Sequence, residues 1–344
     1  MKLLVPGLLG PLPGMEEPGF PRVVADAAET LLARGRRVEL PAADLEATLF
    51  RLFAVDTDPA RDLPVAPVRR LADTGERDEH WWLCADPVHL EADQNRLMLF
   101  DSHTFALERH EAAALAQEFN ALFAADGVWL ETPHPVRWYL RLPAEPDVRT
   151  HPLSRVVGRD IHAFLPWGAA QRRWHAFLNE VQMFLHGSAV NQAREEAGRP
   201  TINSVWFWGG GVLPRAASAP FTAIWSGHAL AAGLARLAGV PLRPVPPAAV
   251  DWLAQAEAPG EHLVVLEDVC VPPLYGDVPG WIEALARLER HWFAPLVQAL
   301  KQGAVDNLDI CPGTRDEVRV RAGDLRRFWR RRRPLTAWMR QKEV

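Results

Sequence analysis

The stretch Val205-Trp206-Phe207-Trp208-Gly209-Gly210-Gly211 leaves a chain few ways to fold. Four bulky apolar residues in a row offer no side to water, so they predict a strand buried on both faces. The three glycines that follow supply a backbone that can turn sharply or let another group come close. Open parallel sheets bind ligands beyond the carboxyl ends of their strands, which makes such a loop a place to look for function. A tight strand-to-loop turn is the plainer reading. The loop also lacks Gly-x-Gly-x-x-Gly and the Lys-Ser/Thr of a P-loop, so no nucleotide site is predicted.

A chain of 344 residues accommodates two domains, or one large α/β domain carrying an insertion. With 48% hydrophobic and 24% charged residues it is expected to be globular rather than disordered. Cys84, Cys270 and Cys311 form no Cys-x-x-Cys pair, which argues against a zinc site or a disulfide framework. Pro6 breaks the short apolar start, a poor signal peptide, and no run of about eighteen apolar residues exists to span a membrane. The expected compartment is the cytoplasm. Charge is uneven: from Arg315 to Val344 eleven basic and four acidic side chains give +7, leaving −12 for the remainder of a chain whose net charge is −5.

Periodicity predicts an opening strand, a helix over 23–34, and a hairpin of 81–85 with 96–100 turning at Asp93-Gln94-Asn95. It further predicts a helix ending at Gly127, extended chain over 128–142 interrupted by Pro133 and Pro135, and a strong amphipathic helix over 169–186 with Gly187 as its cap. Beyond the glycines it predicts a small-residue helix over 221–238, a strand over 262–269, an amphipathic helix over 281–300, strands at 305–310 and 318–320, and a short last helix capped by Asp324. The pattern is mixed before Val205 and βαβ-like after it. An α/β core with an inserted α+β segment accounts for both.

Chemistry is sparse. None of the twelve histidines forms a compact metal-ligand pattern; Asp160-x-His162 is the nearest approach, and a structural role is the plainer one. Ser226-Gly227-His228 places a serine beside a histidine but lacks the Gly-x-Ser-x-Gly elbow of a nucleophile. In Arg326-Arg327-Phe328-Trp329-Arg330-Arg331-Arg332-Arg333, basic residues interleaved with aromatics can bind nucleic acid. The plainer reading, and the one expected here, is a solvated terminal helix anchored to the body by Phe328 and Trp329, with no nucleic-acid partner.

Several segments together carry a resemblance. Ala189-Val190-Asn191-Gln192-Ala193-Arg194 with Gly198, then Ile202-Asn203 and Trp208-Gly209-Gly210-Gly211, are similar to the Pro-Val-Asn-x-x-Arg, Gly, Ala-Asn and Arg-Gly-x-Gly series of the archaeal-type, bisphosphoglycerate-independent phosphoglycerate mutases of the alkaline phosphatase superfamily. Arg159-Asp160-Ile161-His162 resembles that family's Asp-Pro-His, and Arg137 to Arg141 its Arg-containing strand. The whole chain also resembles a bacterial group of phosphoglycerate mutase-like and Rpf E-type regulatory proteins. The resemblance implies an α/β fold: an alkaline-phosphatase-like core sheet with helices on both faces over 1–77 and 204–344, plus an inserted α+β domain over 78–203.

That superfamily uses two divalent metals to activate a Ser or Thr nucleophile. Its opening Asp-Gly corresponds here to Val5-Pro6-Gly7, its Gly-His-Asp segment to Val271 to Asp277, and its later Asp-His pair to Asp309-Ile310-Cys311-Pro312-Gly313. No serine lies in residues 40–60. The expectation is a relative without catalytic residues, metal or cofactor, acting as a regulatory or ligand-binding protein. Its ligand contacts would be Arg137, Arg141, Asp160, His162, Asn191, Arg194, Asn203, Trp208, Gly209, Gly210 and Gly211, between core and insert. Arginines there suit a phosphorylated or carboxylated metabolite; a protein partner is the other expectation. Two alternatives stay open: an active mutase or phosphatase with rearranged metal ligands, and nucleic-acid binding through the arginine-rich C-terminus.

Overall fold

The computed structural model describes residues 1–14, 20–21, 23–41, 44–256, 260–313 and 316–339. The chain parts into two compact units, one of residues 1–54 with 218–344 and one of residues 55–217. Arg315 and the residues from 340 onward, part of the basic C-terminal balance, lie outside the described residues.

The chain opens with strand β1 (Lys2–Leu4), helix α1 (Asp26–Arg34), strand β2 (Arg36–Glu39) and helix α2 (Leu45–Leu52), which Asp44 caps by accepting from the Ala47 N–H. It then builds the second unit. Helix α3 (Val65–Thr74) precedes the long strand β3 (Trp81–Asp93), which turns through Gln94 and Asn95 into β4 (Arg96–Phe100). Helix α4 (Arg109–Phe123), the hairpin β5 (Trp129–His134) and β6 (Arg137–Leu142), helices α5 (Gln171–Gly187) and α6 (Ala189–Glu196), and strand β7 (Ser204–Gly211) complete it. Gly187 is the last residue of α5 rather than its cap: Ser188 ends α5 and caps α6.

All pairing in this second sheet is antiparallel, in the order β4-β3-β6-β5, with β7 along the other side of β3. The tryptophan strand is thus buried on both faces as its composition demands, but it belongs to an antiparallel sheet. Val205 and Phe207 pack with Trp174 and Phe177 of α5 and Phe119 of α4, the Phe207 ring 5.3 Å from Trp174 and 5.6 Å from Phe177. Because side chains alternate, Trp206 and Trp208 face the opposite way, toward α3. This pairing carries residues 204–217, and α3 before β3, into the second unit, so its limits are 55 and 217 rather than 78 and 203.

Back in the first unit come β8 (Phe221–Trp225), α7 (Ala229–Ala238), β9 (Leu242–Arg243), α8 (Ala249–Gln255), β10 (Glu261–Val265), α9 (Val271–Leu274) and α10 (Val278–Leu288). A π turn at Glu289–Phe293 leads into α11 (Ala294–Gln302), followed by β11 (Asn307–Cys311), β12 (Asp316–Arg321) and α12 (Leu335–Met339). The single helix predicted over 221–238 is instead a strand and a helix. Phe221-Thr-Ala-Ile-Trp225 is a β-type run that pairs parallel with β10, and only the alanine-rich part winds into α7.

The seven strands run β2-β12-β11-β1-β10-β8-β9, parallel from β11 through β9, with β12 antiparallel to both its neighbours. Leu3, Val5, Val264, Trp225 and Ile310 join the buried faces of α1, α10, α11 and the π turn in one cluster. Leu4, Leu263, Val265 and Ile224, on the alternate face, are equally buried, and α2 and α7 pack on one another with Leu49, Phe50, Leu230 and Leu234 buried. The first unit is therefore a mixed α/β layer, a multi-strand sheet flanked by helices. No helix among the described residues is long and apolar enough to cross a membrane.

One buried ion pair fixes α3 on the second sheet. Asp86 stands alone in the apolar run Trp82 to Val88; it accepts from Arg69 Nη1 at 2.9 Å and Trp208 Nε1 at 2.9 Å. The Arg69 guanidinium also lies over the Trp208 ring, 5.2 Å from its centre. Burial opposes the charge on Arg69, but Asp86, with Cys84 and Tyr139 beside it, more than offsets that and raises its pKa well above the ordinary value. Next to it Arg70 covers the Trp82 ring at 4.1 Å and pairs with Glu131, Asp78 and Glu76. Removing one partner of such a pair strands the other charge without water, whereas removing both does not. Asp86→Ala is expected to destabilise the protein by about 3–5 kcal/mol in urea unfolding, and Arg69→Met with Asp86→Leu by clearly less.

Candidate functional site

The glycines at the end of β7 are bare because other groups occupy the space of a side chain. Gly209 has φ +65° and its N–H donates to Thr150 Oγ1 at 3.2 Å. A Cβ there would lie 2.8 Å from the Val65 Cβ; at Gly210 it would enter the Trp81 ring, and at Gly211 it would meet the Pro64 Cβ at 2.7 Å. Closeness to the start of α3 and to Trp81 therefore selects glycine at these positions.

Gly210 and Gly211 also line a cleft of about 630 Å³ within the second unit, together with Asp56, Asp58, Arg61, Asp62, Trp81, Glu145, Asp147 and Arg149. Five carboxylates face two guanidiniums, and both guanidiniums are engaged. Arg61 pairs with Glu145 at 3.1 Å and Asp58 at 3.6 Å, and Arg149 Nε donates to Asp62 Oδ1 at 2.8 Å. Asp62 also accepts the Thr150 N–H at 2.9 Å and the Thr150 hydroxyl. The surplus is negative, so the cleft favours a cationic or donor-rich ligand over an anion.

Most of the predicted contact residues are consumed by the fold. Asn191 donates to the carbonyls of Leu185 (2.8 Å) and Ile202 (2.7 Å) and accepts the Ile202 N–H at 2.8 Å. Arg194, fully buried, donates to Glu111 Oε2 at 2.9 Å and to the carbonyls of Pro200 and Ala106. Asn203 clips to both backbone groups of Leu90. Arg137 is forked onto Asp73 at 2.9 and 2.6 Å, with the Tyr139 hydroxyl donating to the same carboxylate at 2.6 Å. Burial would raise Asp73, but these donors hold it below the ordinary carboxylate range.

Trp208 serves the Asp86 pair. Arg141 sits on β6 opposite Trp82 and Trp129, partly exposed. Asp160 caps the short turn at Ile161–Phe164 and lies 2.6 Å from the exposed His162 ring; the ring's contact and the Leu97 N–H hold its carboxyl below the usual range. Of the predicted set, only Gly210 and Gly211 line the cleft. Nothing in the spacing of the acidic loops 56–62 and 145–149 links them in sequence. Asp86 did carry a signal, a single carboxylate in an apolar strand, which calls for a buried cation.

The two-metal centre implied by the resemblance would draw on the loops at the carboxyl ends of β1, β10 and β11, which the parallel pairing brings to one end of the first sheet. The loop after β1, Val5-Pro6-Gly7, carries no donor side chain. Gly7, at φ +82°, sits against the Val269 carbonyl so closely that no Cβ fits, and its own carbonyl accepts from Trp281 Nε1 at 2.9 Å. After β8 the buried Ser226 hydroxyl accepts the His228 N–H at 3.0 Å, a turn contact rather than a nucleophile's geometry. Burial, with Glu267 and Glu46, pushes the Cys270 thiol up to about 12; burial likewise takes Cys311 to about 12. Among the described residues no three His, Cys, Asp or Glu side chains group so as to hold a metal ion. These residues do not fit a two-metal centre.

No protein-family model matches the sequence. No curated protein matches it either. Solved structures do. The PH0037 protein from Pyrococcus horikoshii is 15% identical over 92% of this chain and 85% of its own, with a TM-score of 0.53. The cofactor-independent phosphoglycerate mutase from Thermoplasma acidophilum is 15% identical over 94% of this chain and 89% of its own, with a TM-score of 0.42. The first of these likenesses shows a shared fold.

Two outcomes are expected from these placements. Arg194→Ala, which leaves the buried Glu111 with Arg199 as its remaining cation and takes the donor from the Pro200 and Ala106 carbonyls, should cost about 1–3 kcal/mol in urea unfolding, an effect of the fold rather than of a binding residue. In native protein at pH 8, Cys270 and Cys311 should stay unlabelled by a thiol-disulfide reagent over minutes, since a thiol near 12 is ionised at only about one part in ten thousand. All three thiols should react in denaturant.

Proposed function

We propose that this chain is a metal-independent, non-catalytic relative of the bisphosphoglycerate-independent phosphoglycerate mutases that acts by binding, as a regulatory protein. One observation carries the reading: the loop where a first metal ligand would stand, Val5-Pro6-Gly7, has no donor side chain and is closed by Val269 and Trp281. A Lewis-acid centre needs converging oxygen or nitrogen donors and an open position for substrate. The sequence resemblance supports the ancestry, and the departures at all three metal motifs support the loss of catalysis.

The cleft beside Gly210 supports a ligand bearing an ammonium or guanidinium group, or a protein segment presenting one, rather than a phosphorylated or carboxylated metabolite. Its carboxylates outnumber its guanidiniums, and a 3-phosphoglycerate there would meet like charge.

Metal analysis of the purified protein, followed by a mutase and phosphatase assay with added Mn²⁺, tests the reading. The expected result is substoichiometric metal and no turnover of 3-phosphoglycerate. Stoichiometric Mn²⁺, Zn²⁺ or Mg²⁺ together with turnover would establish the enzyme with rearranged ligands instead.

A further inference from the structure

The arginine run near the C-terminus does two different jobs. It was expected to form a helix anchored by Phe328 and Trp329, yet between the short turn at Asp324–Arg326 and α12 the chain is non-helical. Arginines do the anchoring. Arg327 Nη1 and Arg330 Nη1 donate to the carbonyls of Arg34 and Gly35, at 3.3 and 2.8 Å, where α1 ends and its carbonyls lack partners. Arg332 pairs with Asp26 at 2.6 Å, the Leu335 N–H donates to Glu29 at 3.0 Å, and the Leu335 side chain is buried.

That leaves a cationic and aromatic remainder. Arg326, Arg331 and Arg333 are exposed and have no ion-pair partner among the described residues. Phe328 and Trp329 are 78% and 65% exposed, their rings edge to face at 5.3 Å. Two large rings held outward by a strap that Arg327, Arg330, Arg332 and Leu335 tie down lose little conformational freedom on binding. Phe328 and Arg331 also line, with the exposed Val24, a groove of about 780 Å³ in the same unit.

We propose that Arg326, Phe328, Trp329, Arg331 and Arg333 form a binding surface for single-stranded nucleic acid, with guanidiniums on phosphates and bases on the two rings. Every cation from 326 to 333 is arginine, whose planar fork suits phosphate and stacks on bases. An interfacial membrane site needs a helix with a broad apolar face, and this segment has neither. Duplex DNA hides the base faces that the rings would use. The −12 carried by residues 1–314 repels a polyanion elsewhere and confines the footprint to this strap.

The test is fluorescence anisotropy of a 5′-fluorescein-labelled dT20 oligonucleotide with the full chain. Saturable binding is expected, weakening about twentyfold between 50 and 200 mM salt if three arginines neutralise phosphates. Phe328→Ala with Trp329→Ala should weaken it at least about fivefold. Arg331→Glu with Arg333→Glu should weaken it at least about tenfold and flatten the salt dependence. Unchanged melting temperatures show that both variants keep the strap docked. The proposal is overturned by no saturable binding, by equal binding of either variant, or by equal affinity for the dT20·dA20 duplex. It is equally overturned by displacement with polyglutamate, or by binding to phosphatidylserine vesicles without binding to the oligonucleotide.

Discussion

A guanidinium enclosed by protein dictates the second unit. Burying Arg69 removes its hydration, and only a carboxylate in the same dry place can compensate. Asp86 is that carboxylate, and its position in the middle of β3 decides where α3 must lie. The Trp138 N–H donates to one oxygen of Asp86 and Trp208 Nε1 to the other, so β6 and β7 are tied to β3 through one charged centre as well as through their ladders.

The glycine run follows from that placement. With α3 held down by Arg69 and Arg70, its first residue, Val65, and the Pro64 before it lie against the end of β7. A side chain at 209 or 211 would push the helix off its charge partner, and one at 210 would enter the Trp81 ring. These glycines mark a close contact between helix and sheet, and the cleft they border is a by-product of loops that meet above them. Its surplus of carboxylates comes from two segments far apart in the chain, 56–62 and 145–149.

In the first unit the same chemistry acts on a helix instead of a sheet. α1 receives a carboxylate at its start, where Glu289 accepts the Ala27 and Ala28 N–H groups, and two guanidiniums at its end, from Arg327 and Arg330. Both ends match the helix dipole. A run of arginines that looks uniform in sequence is thereby divided into residues that hold the fold and residues that face water.

Local pattern made much of this fold legible. Uninterrupted apolar residues required Val205 to Trp208 to be a doubly buried strand, and apolar residues three and four apart required the α5 helix. Parallel strands follow from the alternation after Val205, except at Phe221 to Trp225, whose strand the small residues of the adjoining helix conceal. What the sequence could not express was partnership. Asn191, Arg194, Asn203 and Arg137 have the chemistry of ligand-binding residues, and only the tertiary structure decided that carbonyls and carboxylates of the same chain use it. Likewise, the tryptophan strand joins the second sheet through its antiparallel ladder with β3 and the Trp208 bond to Asp86, partners more than a hundred residues away in the chain. Burial and hydrogen-bond satisfaction depend on residues distant in sequence, whereas periodicity depends on neighbours. Chain order therefore determined the elements, and three-dimensional contact alone determined which polar groups remain for a ligand.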